Sequence, residues 1–257
     1  MSNRKIKKRF SSEVKIIDQP KQQVSQDQFS NQSLYQNPFY RKKQVVITPR
    51  NKNQHIYYQK LKNDDLSIIF AVGTAGSGKT LLAVQYGIKL LQEGKIEKIV
   101  ITRPAVSVDE DLGFLPGTLN EKMAPWTRPI FDVFFEYYTQ RDINRYLDDG
   151  VIEIAPLAYM RGRSLKNAYI IADEMQNSTR SQMKMLLTRI GENSRMVVTG
   201  DLAQADRMTD NGLLEFIGKL AEYPELQHID CVTFNHGDIE RHDAVKEVLK
   251  IYGEDDM

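Results

Sequence analysis

The sequence predicts an α/β fold, a mostly parallel sheet flanked by helices, and three observations carry that reading. Short apolar runs alternate with longer helix-like stretches along most of the chain, the order that doubly wound sheets produce. One run, Ile68-Ile69-Phe70-Ala71-Val72, is apolar throughout, as a strand covered on both faces must be, and it leads through a glycine-rich loop into an amphipathic helix. Acidic residues close two later runs, at Asp173-Glu174 and Asp201, and the carboxyl ends of strands are where such sheets bind ligands.

A basic tail precedes the first element. Residues 1–50 hold 11 Lys+Arg against 3 Asp+Glu, whereas the rest of the 257-residue chain holds 24 against 31. Arg4-Lys5-Ile6-Lys7-Lys8-Arg9 is followed by a Gln/Ser/Asn-rich stretch from Gln19 to Asn37 with weak apolar periodicity, so most of residues 1–44 is expected to be disordered. Two uses fit that composition equally: attraction of an anionic partner such as nucleic acid, or simple solubilisation.

Val45-Val46-Ile47 reads as a short edge strand and His55 to Lys62 as a helix. The strand Ile68–Val72 and the helix Leu81–Leu91 follow, then a second strand from Lys98 that ends at Pro104. Pro104 to Pro129 is turn-rich, with Gly113, Pro116, Gly117 and Pro125, and so long a loop inside a compact domain is usually functional. Ile130 to Tyr138 is an aromatic-rich helix suited to core packing. Val151 to Ala155 is a third strand and Ala168 to Glu174 a fourth. A helix from Ser181 to Ile190 leads to a fifth strand, Arg195 to Asp201. A helix from Gly212 to Ala221, a last strand Cys231–Phe234 and a closing helix Ile239–Tyr252 complete the domain, residues 45–257.

Composition narrows the class. At 41% hydrophobic residues the chain can bury a real core. Its one cysteine, Cys231, excludes a disulfide framework or a Cys-rich zinc site and points to a reducing compartment. No apolar run approaches the roughly 20 residues that span a bilayer, and the basic N-terminus lacks the apolar stretch of a secretory signal. A cytoplasmic protein without a membrane partner is expected.

The chemistry starts at Gly73-Thr74-Ala75-Gly76-Ser77-Gly78-Lys79-Thr80, a phosphate-binding P-loop in its required strand–loop–helix setting. The glycines let backbone N–H groups approach an anion, and the helix N-terminus adds its positive dipole end. Lys79 would reach the β- and γ-phosphates, and the Thr80 hydroxyl would ligate Mg²⁺. Four apolar residues and then Asp173 fit a Walker B strand, with Asp173 holding Mg²⁺ beside Thr80. The pleat would turn the next residue, Glu174, to the opposite face, where it would orient and deprotonate the attacking water.

Asp173-Glu174-Met175-Gln176 resembles motif II of superfamily 1 helicases. Gly200-Asp201-Leu202-Ala203-Gln204 resembles their motif III, in which Gln204 would sense the γ-phosphate. Gln54 lies about 19 residues before Gly73, the place of their adenine-reading glutamine, and an amide pairs well with adenine N6 and N7.

The whole pattern is closer still to the PhoH family over residues 45–252. The resemblance rests on Pro49-Arg50-Asn51-Lys52-Asn53-Gln54, the P-loop, Ile101-Thr102-Arg103-Pro104-Ala105-Val106 and Leu112-Gly113-Phe114-Leu115-Pro116-Gly117. It continues through Ala155-Pro156-Leu157-Ala158-Tyr159-Met160-Arg161-Gly162-Arg163, Asp173-Glu174-Met175-Gln176-Asn177, Met183-Lys184-Met185, Val198-Thr199-Gly200-Asp201 and Asp238-Ile239-Glu240-Arg241-His242. It implies a cytoplasmic, RecA-like P-loop ATPase similar to one half of a helicase, from a family linked to phosphate starvation and RNA metabolism and found in phages and bacteria. Met175 replaces the family's commoner Ala, and His242-Asp243 its usual His-Pro; neither touches the expected chemistry.

Superfamily 1 helicases close ATP between two RecA-like domains, and this chain has room for one. A homo-oligomeric ring, a hexamer among the possible sizes, would supply the missing wall and an arginine finger. Arg241 is the first candidate finger, with a salt bridge to Glu240 or Asp238 as its alternative role. Arg103, expected at a strand end beside the P-loop, is the second. Arg161 and Arg163, on a glycine-containing loop, suit the phosphates of single-stranded RNA or DNA. The expected function is Mg·ATP hydrolysis coupled to such a strand. Its rivals are an ATP-binding interaction module with little turnover, against which Glu174 argues, and a small-molecule kinase, against which Gln204 and motif II argue.

Overall fold

The computed structural model describes residues 43–104, 119–205, 210–240 and 243–252. The expected tail lies outside these residues as far as Arg41 and Lys42, and so do Gly113, Pro116, Gly117 and Arg241. Among the described residues the chain forms six strands: β1 (Ile68–Gly73), β2 (Lys98–Thr102), β3 (Ile152–Ile154), β4 (Ala168–Ala172), β5 (Arg195–Gly200) and β6 (Ile229–Phe234). They pair in the order β3-β2-β4-β5-β1-β6, and every pairing is parallel. The α/β expectation holds, and each carboxyl end falls on the same edge of the sheet.

Among the described residues seven α-helices connect and cover the strands: α1 (Lys52–Lys62), α2 (Lys79–Gln92), α3 (Leu119–Phe135), α4 (Gln140–Asp148), α5 (Arg180–Leu187), α6 (Gly212–Leu220) and α7 (Asp243–Tyr252). Alternation along β1 explains why an unbroken apolar run was needed. Ile69 and Ala71 join one core layer with Tyr57, Leu61, Leu82, Ile88 and Phe134. Ile68, Phe70 and Val72 join the other with Met160, Met183, Leu186 and Leu213. Successive strand residues face opposite sides, and both sides here are covered.

Three elements differ from expectation. Val45-Val46-Ile47 pairs with no strand among the described residues; Val45 alone of the three is buried, and its N–H donates to Gln92 Oε1 at 3.3 Å. The second half of the supposed Pro104–Pro129 loop is helical, because α3 runs through Pro125 and Pro129. Each proline removes a helical hydrogen bond, but Met123, Thr127, Ile130 and Phe134 are all buried along this helix and the Thr127 hydroxyl donates to Met123 O at 3.0 Å. Core packing has outweighed the local preference. Helix α4 was not foreseen, although its capping box, Thr139 with Asp142, is written in the sequence.

Candidate active site

The glycine-rich loop leaves β1 at Gly73 and becomes α2 at Lys79. Gly73 takes a positive φ of 134° with the Phe234 carbonyl so close that a Cβ would lie 2.0 Å from its oxygen. No other residue type fits there. Gly78 is the N-cap of α2, left-handed at φ 84°, and no side chain caps the helix start. The first-turn N–H groups are therefore left for an anion. Lys79 Nζ donates to the carbonyls of Gly73 and Thr74 at 2.5 and 2.6 Å, and to Ser77 Oγ at 3.3 Å. Ser77 Oγ donates in turn to Thr74 O at 2.7 Å. Burial pulls the Lys79 ammonium below the ordinary lysine value, while the negative charges of Asp201, Glu174 and Asp173 pull the other way.

Two carboxylates face this loop across a cleft of about 240 Å³, bordered by Ala75, Gly76, Gly78, Lys79, Thr80, Asp173, Glu174 and Gln204. Asp173 Oδ1 accepts from the Thr80 hydroxyl at 2.8 Å and from the Thr199 hydroxyl. A hydroxyl and a carboxylate this close form an all-oxygen donor pair that suits a hard cation such as Mg²⁺. The strand order explains the meeting: β4, which delivers Asp173, is one strand removed from β1, with Thr199 on the strand between.

Glu174 corrects the expectation of opposite faces. Strand β4 stops at Ala172, and Glu174 is left-handed at φ 55°, ψ 37°, so the pleat does not carry through and both acids border one cleft. A non-glycine residue held in that region stores strain of order 1 kcal/mol. The two acids differ in their partners. Gln176 Nε2 donates to Glu174 Oε2 at 2.6 Å, and Gln176 Oε1 accepts from the Asp201 N–H at 3.1 Å. Asp201 accepts from the N–H of Ala75 at 2.9 Å and of Ala203 at 3.0 Å. A continuous path thus joins Glu174, the end of β5 and the P-loop. Sequence reasoning placed Asp201 at a strand end but gave it no part in the site. Thr199 was also missed, and its signal was a hydroxyl at the end of an otherwise apolar run.

Gln54 is only 4% exposed and does not border the cleft. Its amide oxygen accepts from the Arg50 N–H at 2.8 Å, and its nitrogen donates to Ser77 O at 3.0 Å. A Cβ at position 78 would meet that nitrogen at 2.9 Å. The residue expected to read adenine here braces the underside of the P-loop. Tyr57, on the same helix, is fully buried, and its hydroxyl has no partner among the described residues; burial and then the charge of Asp173 hold its pKa well above the ordinary value.

The segment after β6 is fastened to the same loop. Glu240 N–H donates to Gly76 O at 3.2 Å. Asn51 Nδ2 donates to Asp238 O and to Glu240 Oε1, and Asn53 Nδ2 to the buried Asp238 carboxylate at 2.7 Å. Arg241, the next residue, lies outside the described residues.

The remaining arginines lie elsewhere. Arg103 directly follows β2, which is separated from β1 by β4 and β5, so it is not beside the P-loop as expected; its guanidinium donates to Trp126 O at 3.3 Å. Arg163 forks onto Glu153 of β3, with bonds of 2.5 and 2.9 Å that hold the Glu153 carboxyl below its usual range. Arg161 is exposed.

A family model described as "PhoH-like protein" matches residues 46–253. A PhoH-like protein of Bacillus subtilis is 42% identical over 207 residues, covering 80% of this chain and 64% of its own length. Protein PhoH of Escherichia coli is 39% identical over 216 residues, 80% of this chain and 58% of that one. The chain thus spans about three fifths of the curated relatives it matches. Among solved structures, the Pif1 helicase from Candida albicans has a TM-score of 0.38 at 13% identity, covering 81% of this chain and 44% of that one. No helix among the described residues is long and apolar enough to cross a membrane.

Proposed function

The chain belongs to the family of PhoH-like proteins, and from that premise we propose that its cleft hydrolyses ATP with Mg²⁺, coupled to a single-stranded nucleic acid in the cytoplasm. One observation carries the reading: Lys79, the Thr80–Asp173 pair and Glu174 border a single cleft at the carboxyl edge of the sheet. Lys79 exchanges the carbonyls of Gly73 and Thr74 for phosphate oxygens. Thr80 and Asp173 would hold Mg²⁺, and the ion would supply positive charge against the phosphates. Glu174, oriented by Gln176, positions the attacking water and takes its proton, and Gln204, which borders the cleft, senses the γ-phosphate. Gln54 sets the loop from below through Ser77 O.

An ATP-binding switch with little turnover is the alternative, and one measurement separates them: phosphate release from Mg·ATP, with and without oligonucleotide. Steady turnover stimulated by the strand is expected, and its abolition in Lys79→Ala. Substantial hydrolysis surviving in that variant would overturn the assignment of the P-loop.

The described residues form one α/β sheet domain, and the proposal includes a homo-oligomer, a ring in the simplest case, that brings an arginine to the γ-phosphate. Mixing Lys79→Ala with Arg241→Ala tests it. Recovery of activity assigns Arg241 to a neighbouring subunit's site. A subunit-exchanging mixture that stays inactive counts against action in trans and favours Arg241 serving its own P-loop, to which Glu240 is already bonded.

A further inference from the structure

At the far edge of the sheet, β3 ends in a turn that presents one aromatic ring to solvent. Residues Leu157–Met160 form a single 3₁₀ turn after Pro156. Leu157 and Met160 are 1% and 0% exposed, whereas Tyr159 is 65% exposed. The turn is rigid because it is fastened on both sides. The Leu157 N–H donates to Arg103 O at 3.2 Å, the Arg163 N–H to Met160 O at 3.2 Å, and the Arg163 guanidinium is locked on Glu153. Between those anchors the chain exposes only Ala158, Tyr159, Arg161 and Gly162.

Charge supplies the second half of the pattern. Arg161 has no carboxylate partner among the described residues, and Glu153 is paired with Arg163 and Lys98. Helix α5 packs against the turn and adds Lys184, exposed and likewise without an ion pair among the described residues. Gly162, left-handed at φ 78°, has nothing within 4 Å of the space a side chain would fill, so a phosphate can approach the backbone. An aromatic face on a rigid mount beside unpaired cations matches the stacking-plus-phosphate chemistry of single-stranded nucleic acid, and is too small and too polar for an apolar protein anchor.

We infer that Tyr159 is a stacking platform for a base of single-stranded nucleic acid, with Arg161 on the adjoining phosphate, while Arg163 is the strut that holds the turn. This rests on the proposed coupling of the ATPase to such a strand, and it names where the strand is gripped. By strand spacing the platform stands about 19 Å from the P-loop along the carboxyl edge, four strands away, so base and nucleotide do not compete for one cavity.

The test is binding of labelled oligo-uridine and oligo-thymidine to the full-length chain, across a salt series. Tyr159→Ala should weaken binding about tenfold, the loss of one stacked base, with an unchanged slope of affinity against salt. Tyr159→Phe, which keeps the ring face, should bind as wild type does. Arg161→Ala should lower the salt slope by about one. Preference for uridine would assign the site to RNA; equal binding would assign it to either strand. If wild type binds neither oligonucleotide, the coupling and the platform fall together. If wild type binds and Tyr159→Ala binds equally well, or if Tyr159→Phe is as weak as Tyr159→Ala, the platform alone is overturned.

Discussion

The Ala75 N–H donates to Asp201 Oδ2 at 2.9 Å, so the loop that receives a phosphate is held by a carboxylate before any nucleotide arrives. The bond fixes the loop, and the charge opposes an incoming anion. Substitution separates the two effects. Asp201→Asn removes the charge but leaves one acceptor oxygen for two N–H donors, those of Ala75 and Ala203, so Mg·ATP should bind at most about fivefold more tightly, about 1 kcal/mol. Asp201→Ala loses the bond as well and should bind more weakly than Asp201→Asn. Calorimetric titration with a non-hydrolysable analogue reads both, and an Asn variant no tighter than wild type would show that the carboxylate's charge does not oppose the nucleotide.

Glu174→Gln should keep nucleotide affinity and lose turnover by about 10²–10⁴, because an amide can position a water but cannot take its proton. Gln176→Ala, which frees the Glu174 carboxylate from its 2.6 Å bond, should lower kcat about tenfold with little change in KM. An equal loss in KM would place Gln176 in binding rather than in orientation of the base.

Rate against pH should report Lys79. Burial holds its ammonium below the ordinary lysine value in the free protein, and a bound phosphate raises it again. As pH rises through that value the ammonium loses its proton, and stabilisation of the phosphates goes with it. The alkaline fall of kcat/KM, which follows the free enzyme, should therefore come at lower pH than the fall of kcat, which follows the bound state. Coincident limbs would detach the profile from Lys79.

Stability has a separate test, remote from the cleft. Arg195, at the start of β5, donates to the carbonyls of Leu61 and Asn63 at the end of α1 and pairs with Asp64. Arg195→Ala should cost about 1–3 kcal/mol, chiefly by leaving those carbonyls unpaired. Thermal melts should show it; an unchanged Tm would mean that water replaces the guanidinium without loss.

The P-loop, Asp173 and the parallel sheet were legible because their signals are local: a glycine spacing, an acid after an apolar run, an alternation of short and long segments. What stayed hidden depends on which strands lie side by side. That Thr199 and Asp201 would meet Asp173 and Ala75 follows from β5 lying between β4 and β1, an order no single stretch of sequence states. The same order removed Arg103 from the P-loop. Glu174 was misread because alternation was extended two residues past the strand's end, and α3 because prolines were weighed without the core that overrides them.

The pairing of β1 with β6 also bears on how the molecule is made. Ile68–Gly73 takes its outer neighbour from Ile229–Phe234, roughly 160 residues later, and at ~5–20 residues per second a ribosome needs about 8–32 seconds to cover that distance. Through that interval the strand that carries the P-loop is an unfinished edge, and Gly73 lacks the Phe234 carbonyl against which it is fitted. The nucleotide site is thus encoded early and assembled late. A nascent chain still short of Phe234 holds that strand unpaired on its β6 side, and its P-loop starts without the carbonyl that fixes Gly73.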